Sequence, residues 1–303
     1  MHSGIINKIA INFKNNLFGT CSNDKNISLN KVNLKDVNNL IKVKSTLINN
    51  SCVKDIAFSS DCENLIGCSD EFVKLWKLED KERKLIFEIK DLKDYKIDTI
   101  QSNICQFYLK DKYIVFNSKN NLVFLEYELT EKKYKNNDIL RAKTKGIYNV
   151  ANVFEYKNSQ NITYFNAVNC NSSTQVLISG KDKNHLGSNK EISIYDTYAG
   201  KVVHTYEETH FKEIYYLNFF NYNSPSEHDY HTNFFYSIGS DNQVNFWDVR
   251  ISNSIFAINV TTTSAYNMIG DISPNKLAFT IPSENGHINT YDFRKLTAAV
   301  IRN

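Results

Sequence analysis

Three groups of residues in this chain have the types and spacing that could do chemistry. His210, Ser237 and Asp241 supply the side chains of a Ser–His–Asp nucleophilic site. Such a site also needs an exposed nucleophile and an oxyanion pocket. Ser237 instead lies in the apolar run that ends in Gly-Ser-Asp, as a strand residue would. His228 and His231 form an H-x-x-H pair beside Glu227 and Asp229, but no third and fourth ligand stands at a metal-site spacing. The segment therefore reads as a long inter-strand loop, and its length suits a contact surface. Six cysteines (Cys21, Cys52, Cys62, Cys68, Cys105, Cys170) include no C-x-x-C pair, and several sit in strand-like runs. They read as reduced thiols of an intracellular protein, cytoplasmic or nuclear.

The chain has 303 residues, of which 42% are hydrophobic and 13% aromatic, enough to build a sizeable core. Its 36 Lys and Arg nearly balance 33 Asp and Glu, for a net charge of +3. That balance does not suit a dedicated nucleic-acid binder, although it leaves room for a local patch. One such patch is EKKYKNNDILRAKTK (residues 131–145), with six basic and two acidic residues. It reads as a solvated, partly disordered loop, because its tyrosine and asparagines show no stacking pattern. The mixed-charge stretch at 78–96 reads as an outer strand with flanking loops. No apolar run approaches the ~18 residues of a membrane span, and the N-terminus lacks the pattern of a signal peptide. No phosphate-loop, dinucleotide, zinc-protease or nucleophile-elbow motif is present. No cofactor, metal or small-molecule substrate is expected, and the chain reads as a non-enzyme.

The elements that position these residues repeat. Residues 236–249, YSIGSDNQVNFWDV, run from an apolar strand through a turn at Asp241-Asn242 to an alternating strand ending in Trp247-Asp248. Residues 65–78, LIGCSDEFVKLWKL, repeat the layout with Asp70 and Trp76, again six apart. Weaker copies keep Asp24 with Asn30 in the aromatic slot, Tyr195 after an insertion around 181–190, and Asn285 with Tyr291. The copy at 113–129 is the most degenerate. Turns fall near 24, 70, 121, 189, 241 and 285, giving six units. A further strand precedes several of them (SCVKDIAFSSD, EIYYLNFFN, AYNMIGDISPN), and KLIFEIK and SIFAINV suit outer edges. Four short strands per ~40–50 residues is the pattern of propeller blades.

GSDNQVNFWDV resembles the signature of WD repeats. His210 stands seven residues before Leu217, as the Gly-His position of that family does, and His2 stands likewise to Ile9. The resemblance spans almost the whole chain, strongly in the second and fifth units. It implies an all-β, WD-repeat β-propeller of four-stranded antiparallel blades in a single domain, residues 1–303. The approximate blades are 1–44, 45–90, 91–145, 146–206, 207–260 and 261–303. It also implies a buried network of His210, Ser237, Asp241 and Trp247, with Asp70 and Trp76 as counterparts in the second unit, where Ser51 or a neighbour replaces His. Ring closure is left open between six blades with LTAAVIRN (296–303) as the last strand, a seventh hidden in 130–176, and a ring completed by a partner.

The family's general role implies a non-catalytic scaffold for other proteins. A narrower resemblance lies in Trp247-Asp248-Val249-Arg250 and Tyr291-Asp292-Phe293-Arg294. Such W-D-x-R endings are similar to those by which substrate receptors dock on the adaptor of cullin-4 ubiquitin ligases. Arg250 and Arg294 are thus candidate partner-binding residues, against the alternative of local pairing at the strand end. A third reading, an RNA-associated propeller, rests on residues 131–145 alone.

Overall fold

The computed structural model describes residues 2–12, 16–32, 41–78, 83–136, 139–157, 159–170, 174–182, 191–207, 209–220, 233–260, 270–272, 278–282 and 288–295. Short alternating runs closed by polar turns become strands, and the strands pair in chain order into antiparallel sheets. Two compact units result, residues 1–155 and 156–303.

The first unit holds three sheets. β1 (Ile6–Asn12), β2 (Leu17–Ser22), β3 (Asn26–Val32) and β4 (Ile41–Ile48) form the first. β5 (Asp55–Phe58), β6 (Asn64–Cys68), β7 (Val73–Leu78) and β8 (Arg83–Ile89) form the second. β9 (Cys105–Tyr108), β10 (Tyr113–Ser118), β11 (Asn121–Asn136) and β12 (Ile139–Glu155) form the third. The sheets stack through the residues that alternate inward along each strand. Cys21, Ile27 and Leu29 of the first meet Ile56, Leu65 and Trp76 of the second. Val73, Leu75 and Phe87 of the second meet Phe107, Phe116 and Val123 of the third.

The second unit repeats the plan. β13 (Ser159–Ala167), β14 (Gln175–Asp182), β15 (Ile192–Asp196) and β16 (Lys201–Tyr206) form one sheet. β17 (Ile214–Phe219), β18 (Phe234–Gly239), β19 (Gln243–Asp248) and β20 (Phe256–Asn259) form the next. The described strands of the last sheet are β21 (Asp271–Ile272), β22 (Ala278–Pro282) and β23 (Ile288–Asp292). Its core is aromatic: Tyr206 packs 5.2 Å from Trp247, and Phe279 packs 5.5 Å from Tyr236. The expected turns near 189 and 285, the 227–231 loop and the 296–303 strand lie outside the described residues.

Two expectations need correction. Residues 131–136 and 139–145 are strand, not loop: β11 and β12 stay paired as far as Asn136 opposite Ile139. Nor does 130–176 hide an extra sheet. Residues up to Glu155 complete the third sheet, and those from Ser159 to Ala167 open the fourth. An alternating pattern rich in lysine resembles a solvated loop in composition, and only the backbone pairing separates the two.

Close approach between the first two sheets requires a glycine at position 67. A Cβ there would stand 3.1 Å from the Trp76 ring, 3.3 Å from Ile27 and 3.3 Å from Ile56. The valine variant Gly67→Val should overpack this contact and lower stability by roughly 1–3 kcal/mol, read from urea unfolding midpoints at unchanged slope.

Candidate functional site

The His–Ser–Asp set assembles at the end of the fifth sheet where β18 turns into β19. Nδ1 of His210 lies 3.0 Å and 3.1 Å from the two carboxylate oxygens of Asp241. With that N–H given to the carboxylate, Nε2 is left to accept from the Ser237 hydroxyl at 2.7 Å. The Trp247 indole N–H donates to the same hydroxyl oxygen at 2.9 Å. Asp241 also accepts from the backbone N–H groups of Phe211 and Gln243. Burial raises the Asp241 carboxyl, but His210 and these N–H groups outweigh it and hold the group below its ordinary value.

A triad in outline is thus a closed hydrogen-bond chain, with Ser237 at 0% exposure and His210 at 3%. A hydroxyl held between an indole and an imidazole in the interior cannot meet a substrate. The set is a clasp. It fastens the segment ahead of β17 to the β18–β19 turn.

The first sheet carries a second clasp that the sequence signalled only through His2 and Asp24. His2 Nδ1 lies 3.0 Å from Asp24, and its Nε2 lies 2.8 Å from the Thr20 hydroxyl. The backbone N–H groups of Ser3 and Asn26 donate to the same carboxylate. Against the raising effect of burial, these donors and His2 hold Asp24 down at about 2. Asn30 occupies the Trp slot and bonds within its own strand to Ser28.

Asp70 does not join Trp76 in such a network. Its side chain is 58% exposed and lies 3.5 Å from Lys54. The reason lies in the turn. Trp247 pairs with Phe235 and Trp76 with Leu65, so the strands match with Gly67 where Ser237 stands. Five residues join the last paired positions of β18 and β19, Ile238 and Val244, but only four join Cys68 and Val73. Equal sequence spacing from Asp to Trp therefore conceals a one-residue shift in register. Ser69 takes over the turn, accepting from the N–H groups of Glu71 and Phe72 and bonding Ser51 at 2.9 Å.

The third sheet uses Asn117, whose Oδ1 accepts from the Asn103 and Ile104 N–H groups at 3.0 and 3.1 Å. A buried carboxylate missed by the sequence reading joins all three sheets of this unit. Asp55 of β5 accepts from the Cys105 N–H of β9 at 3.1 Å, and Lys8 of β1 stands 3.9 Å from its other oxygen. Burial pushes the Asp55 carboxyl above its ordinary value. Its sequence signal was a lone Asp opening an apolar run, which any strand start shares.

The two W-D-x-R endings have one geometry. Arg250 places Nε 2.8 Å and Nη2 2.5 Å from the two oxygens of Asp248, and Arg294 places the same atoms 2.9 and 2.7 Å from Asp292. Each arginine is a fork on the carboxylate two residues before it, with the Arg250 guanidinium also 5.8 Å from the Phe234 ring centroid. The Arg forks, acting first, with the backbone N–H groups hold both carboxyls below the ordinary range, Asp292 at about 2. Both guanidinium side chains remain about two-thirds exposed, 63% and 66%.

Sequence comparison adds the family. The model of the WD domain, G-beta repeat, matches residues 41–77. This segment contains β4 of the first sheet and nearly all of β5–β7 of the second, three strands of one sheet and the outer strand of the sheet before it. The repeat match and the antiparallel sheets together support a WD-repeat propeller. A search of curated proteins finds no match. All six cysteines of this WD-repeat chain are free thiols. Among the described residues no cluster of His, Cys, Asp and Glu could hold a metal, and no helix is long and apolar enough to cross a membrane.

The clasps make stability unequal along the WD-repeat chain. Trp247→Ala, which empties a buried aromatic site and frees the Ser237 hydroxyl, should cost about 3–5 kcal/mol. Tyr291→Ala, at a half-buried site, should cost several times less; paired denaturant titrations read the difference. The two buried carboxylates should respond oppositely to neutralisation. Asp24 is depressed, so its stabilisation is fully present above an unfolded value near 4 and is lost as pH falls through about 2. Asp24→Asn should melt lower than the parent at pH 7 and show a shallower loss of melting temperature between about pH 4 and 2. Asp55 is raised, so its charge opposes folding as pH rises above that unfolded value. Asp55→Asn keeps an acceptor for Cys105 and should melt at or above the parent at pH 7.

Proposed function

We propose that this WD-repeat chain is a non-catalytic scaffold on which other proteins assemble. The observation that carries the reading is the state of the triad-like set in the fifth sheet. In the His210–Ser237–Asp241 chain both ring nitrogens, both carboxylate oxygens and the hydroxyl are engaged inside the fold. The polar chemistry is spent on fixing stiff sheets, and WD-repeat sheets generally serve protein–protein contacts. Exposed anchors occur at both ends of the sheets in the second unit. Phe211, beside the His210 clasp, is 68% exposed, while Tyr198 and Ile251, at the opposite turns, are 92% and 47% exposed. Large aromatic and apolar side chains of this kind supply binding energy when a partner desolvates them.

Docking to the cullin-4 adaptor is a second reading, favoured by the matched exposed forks of Arg250 and Arg294. Each fork uses Nε and one N–H of Nη2 on its own Asp and leaves three N–H groups for a partner's carbonyl or carboxylate oxygens. One experiment serves both. Affinity purification of the full chain with mass spectrometry should recover a defined protein assembly that survives moderate salt. Recovery of no stoichiometric partner from any extract would reject the scaffold. If the adaptor is present and the variant Arg250→Ala with Arg294→Ala loses it at least tenfold, the ligase reading holds; unchanged capture rejects that reading and leaves the scaffold.

A further inference from the structure

The turn that follows β19 is longer than its counterpart in the sheet before it. Seven residues, 249–255, join β19 to β20, whereas four, 197–200, join β15 to β16. The short turn closes on Asp196, whose side chain accepts from the N–H groups of Tyr198 and Ala199 and whose carbonyl accepts from Gly200. The long turn is tied at its ends. The Ile251 N–H donates to the Asp248 carbonyl at 3.1 Å, and the Ile255 N–H to the Phe246 carbonyl at 2.7 Å. Between these ties Ser252 and Asn253 lie exposed, outside any helix or strand, while Ser254 is half-buried.

Ser252 stands two residues beyond Arg250 and directly after Ile251, which is itself exposed. The Arg250 fork commits Nε and one N–H of Nη2 to Asp248, so three N–H groups remain for another acceptor. Two residues of chain span at most about 7 Å, which puts a group on Ser252 within reach of the guanidinium. A phosphoserine carries a charge of about −1.5 to −2 and three strong acceptor oxygens, the ligand that a guanidinium suits best. The sixth sheet has no such neighbour, because Leu296 stands two residues beyond Arg294.

We propose that Ser252 is the phosphorylation site of an arginine-directed serine kinase, and that its phosphate closes onto Arg250 and withdraws it from partners. The withdrawal rests on the docking reading of the arginine forks; the phosphosite does not. Kinases select acceptors by the charges around them, and Arg250 supplies one beside an exposed hydroxyl on a turn long enough to enter a cleft. In the transfer, the Ser252 Oγ bonds the terminal phosphorus of ATP as the bond to the bridging oxygen breaks. ADP leaves, and the hydroxyl proton passes to the kinase's catalytic carboxylate. The new charge also adjoins Ile251, so an interface that covers this anchor would have to desolvate a phosphate. Both effects oppose docking at this turn.

The test starts with the full-length chain, a purified arginine-directed serine kinase and Mg-ATP, with the phosphate mapped by peptide fragmentation. Phosphate is expected on Ser252, absent in Ser252→Ala and reduced roughly tenfold in Arg250→Gln. A chain with genetically encoded phosphoserine at 252 is then titrated by phosphorus NMR. A free phosphoserine loses its second proton near about pH 6; paired with Arg250 it should do so at lower pH, and Arg250→Gln should restore the ordinary value. In affinity purification, the phosphoserine chain should lose the partners that Arg250→Ala loses, again roughly tenfold. Equal thermal melts of these chains show that the sheets persist. No phosphate on Ser252, transfer undiminished in Arg250→Gln, or a titration indifferent to Arg250→Gln overturns the proposal. So does capture of Arg250-dependent partners by the phosphoserine chain at the parent's level. A shifted titration with no Arg250-dependent partner rejects the docking reading alone and upholds the phosphate–arginine pair.

Discussion

Four of the sheets depend on one kind of joint, the tie between the segment that leads into the first strand and the end of the second strand or the turn after it. A first strand has one sheet neighbour and packs against the adjoining sheet, so its position must be fixed from its end. The fifth and first sheets use His and Asp, the second uses Ser51 and Ser69, and the third uses Asn117. In each case a side chain satisfies backbone or hydroxyl groups that would otherwise be buried without partners. The chemistry differs because the geometry is fixed while the donor can be an imidazole, a hydroxyl or a backbone N–H.

The same joint explains why a set with the outline of a hydrolase site is inert. Its Ser must lie inside to reach both His and Trp, and inside it cannot reach a substrate. What the sheets hold out to solvent instead are aromatic and apolar residues on turns and the arginine forks.

The strand pattern was legible in the sequence wherever alternation was strict and turns were polar, as at 236–249 and 254–260. Trp247, Asp241 and His210 were legible as a set because their residue types have a specific geometric use. Asp70 was misleading because sequence counts residues through a turn, while hydrogen bonding counts positions in the ladder, and the two differ by one between the second and fifth sheets. Asp55 was silent because its meaning comes from Lys8 and Cys105, which are far away in the chain. The long pairing of β11 with β12 was hidden by its composition, because lysine and asparagine suit a solvated loop and a strand pair alike.

The matched repeat and the sheet are out of phase by one strand. Residues 41–77 begin with the outer strand of one sheet and end inside the next. The chain thus has two sets of natural boundaries. Divided before residue 41, the first sheet would lose its outer strand and expose the edge of β3; divided between Ile48 and Asp55, both neighbouring sheets stay whole. Modular dissection of this protein, whether into fragments or permuted chains, should follow the sheets and ignore the repeat that reveals them.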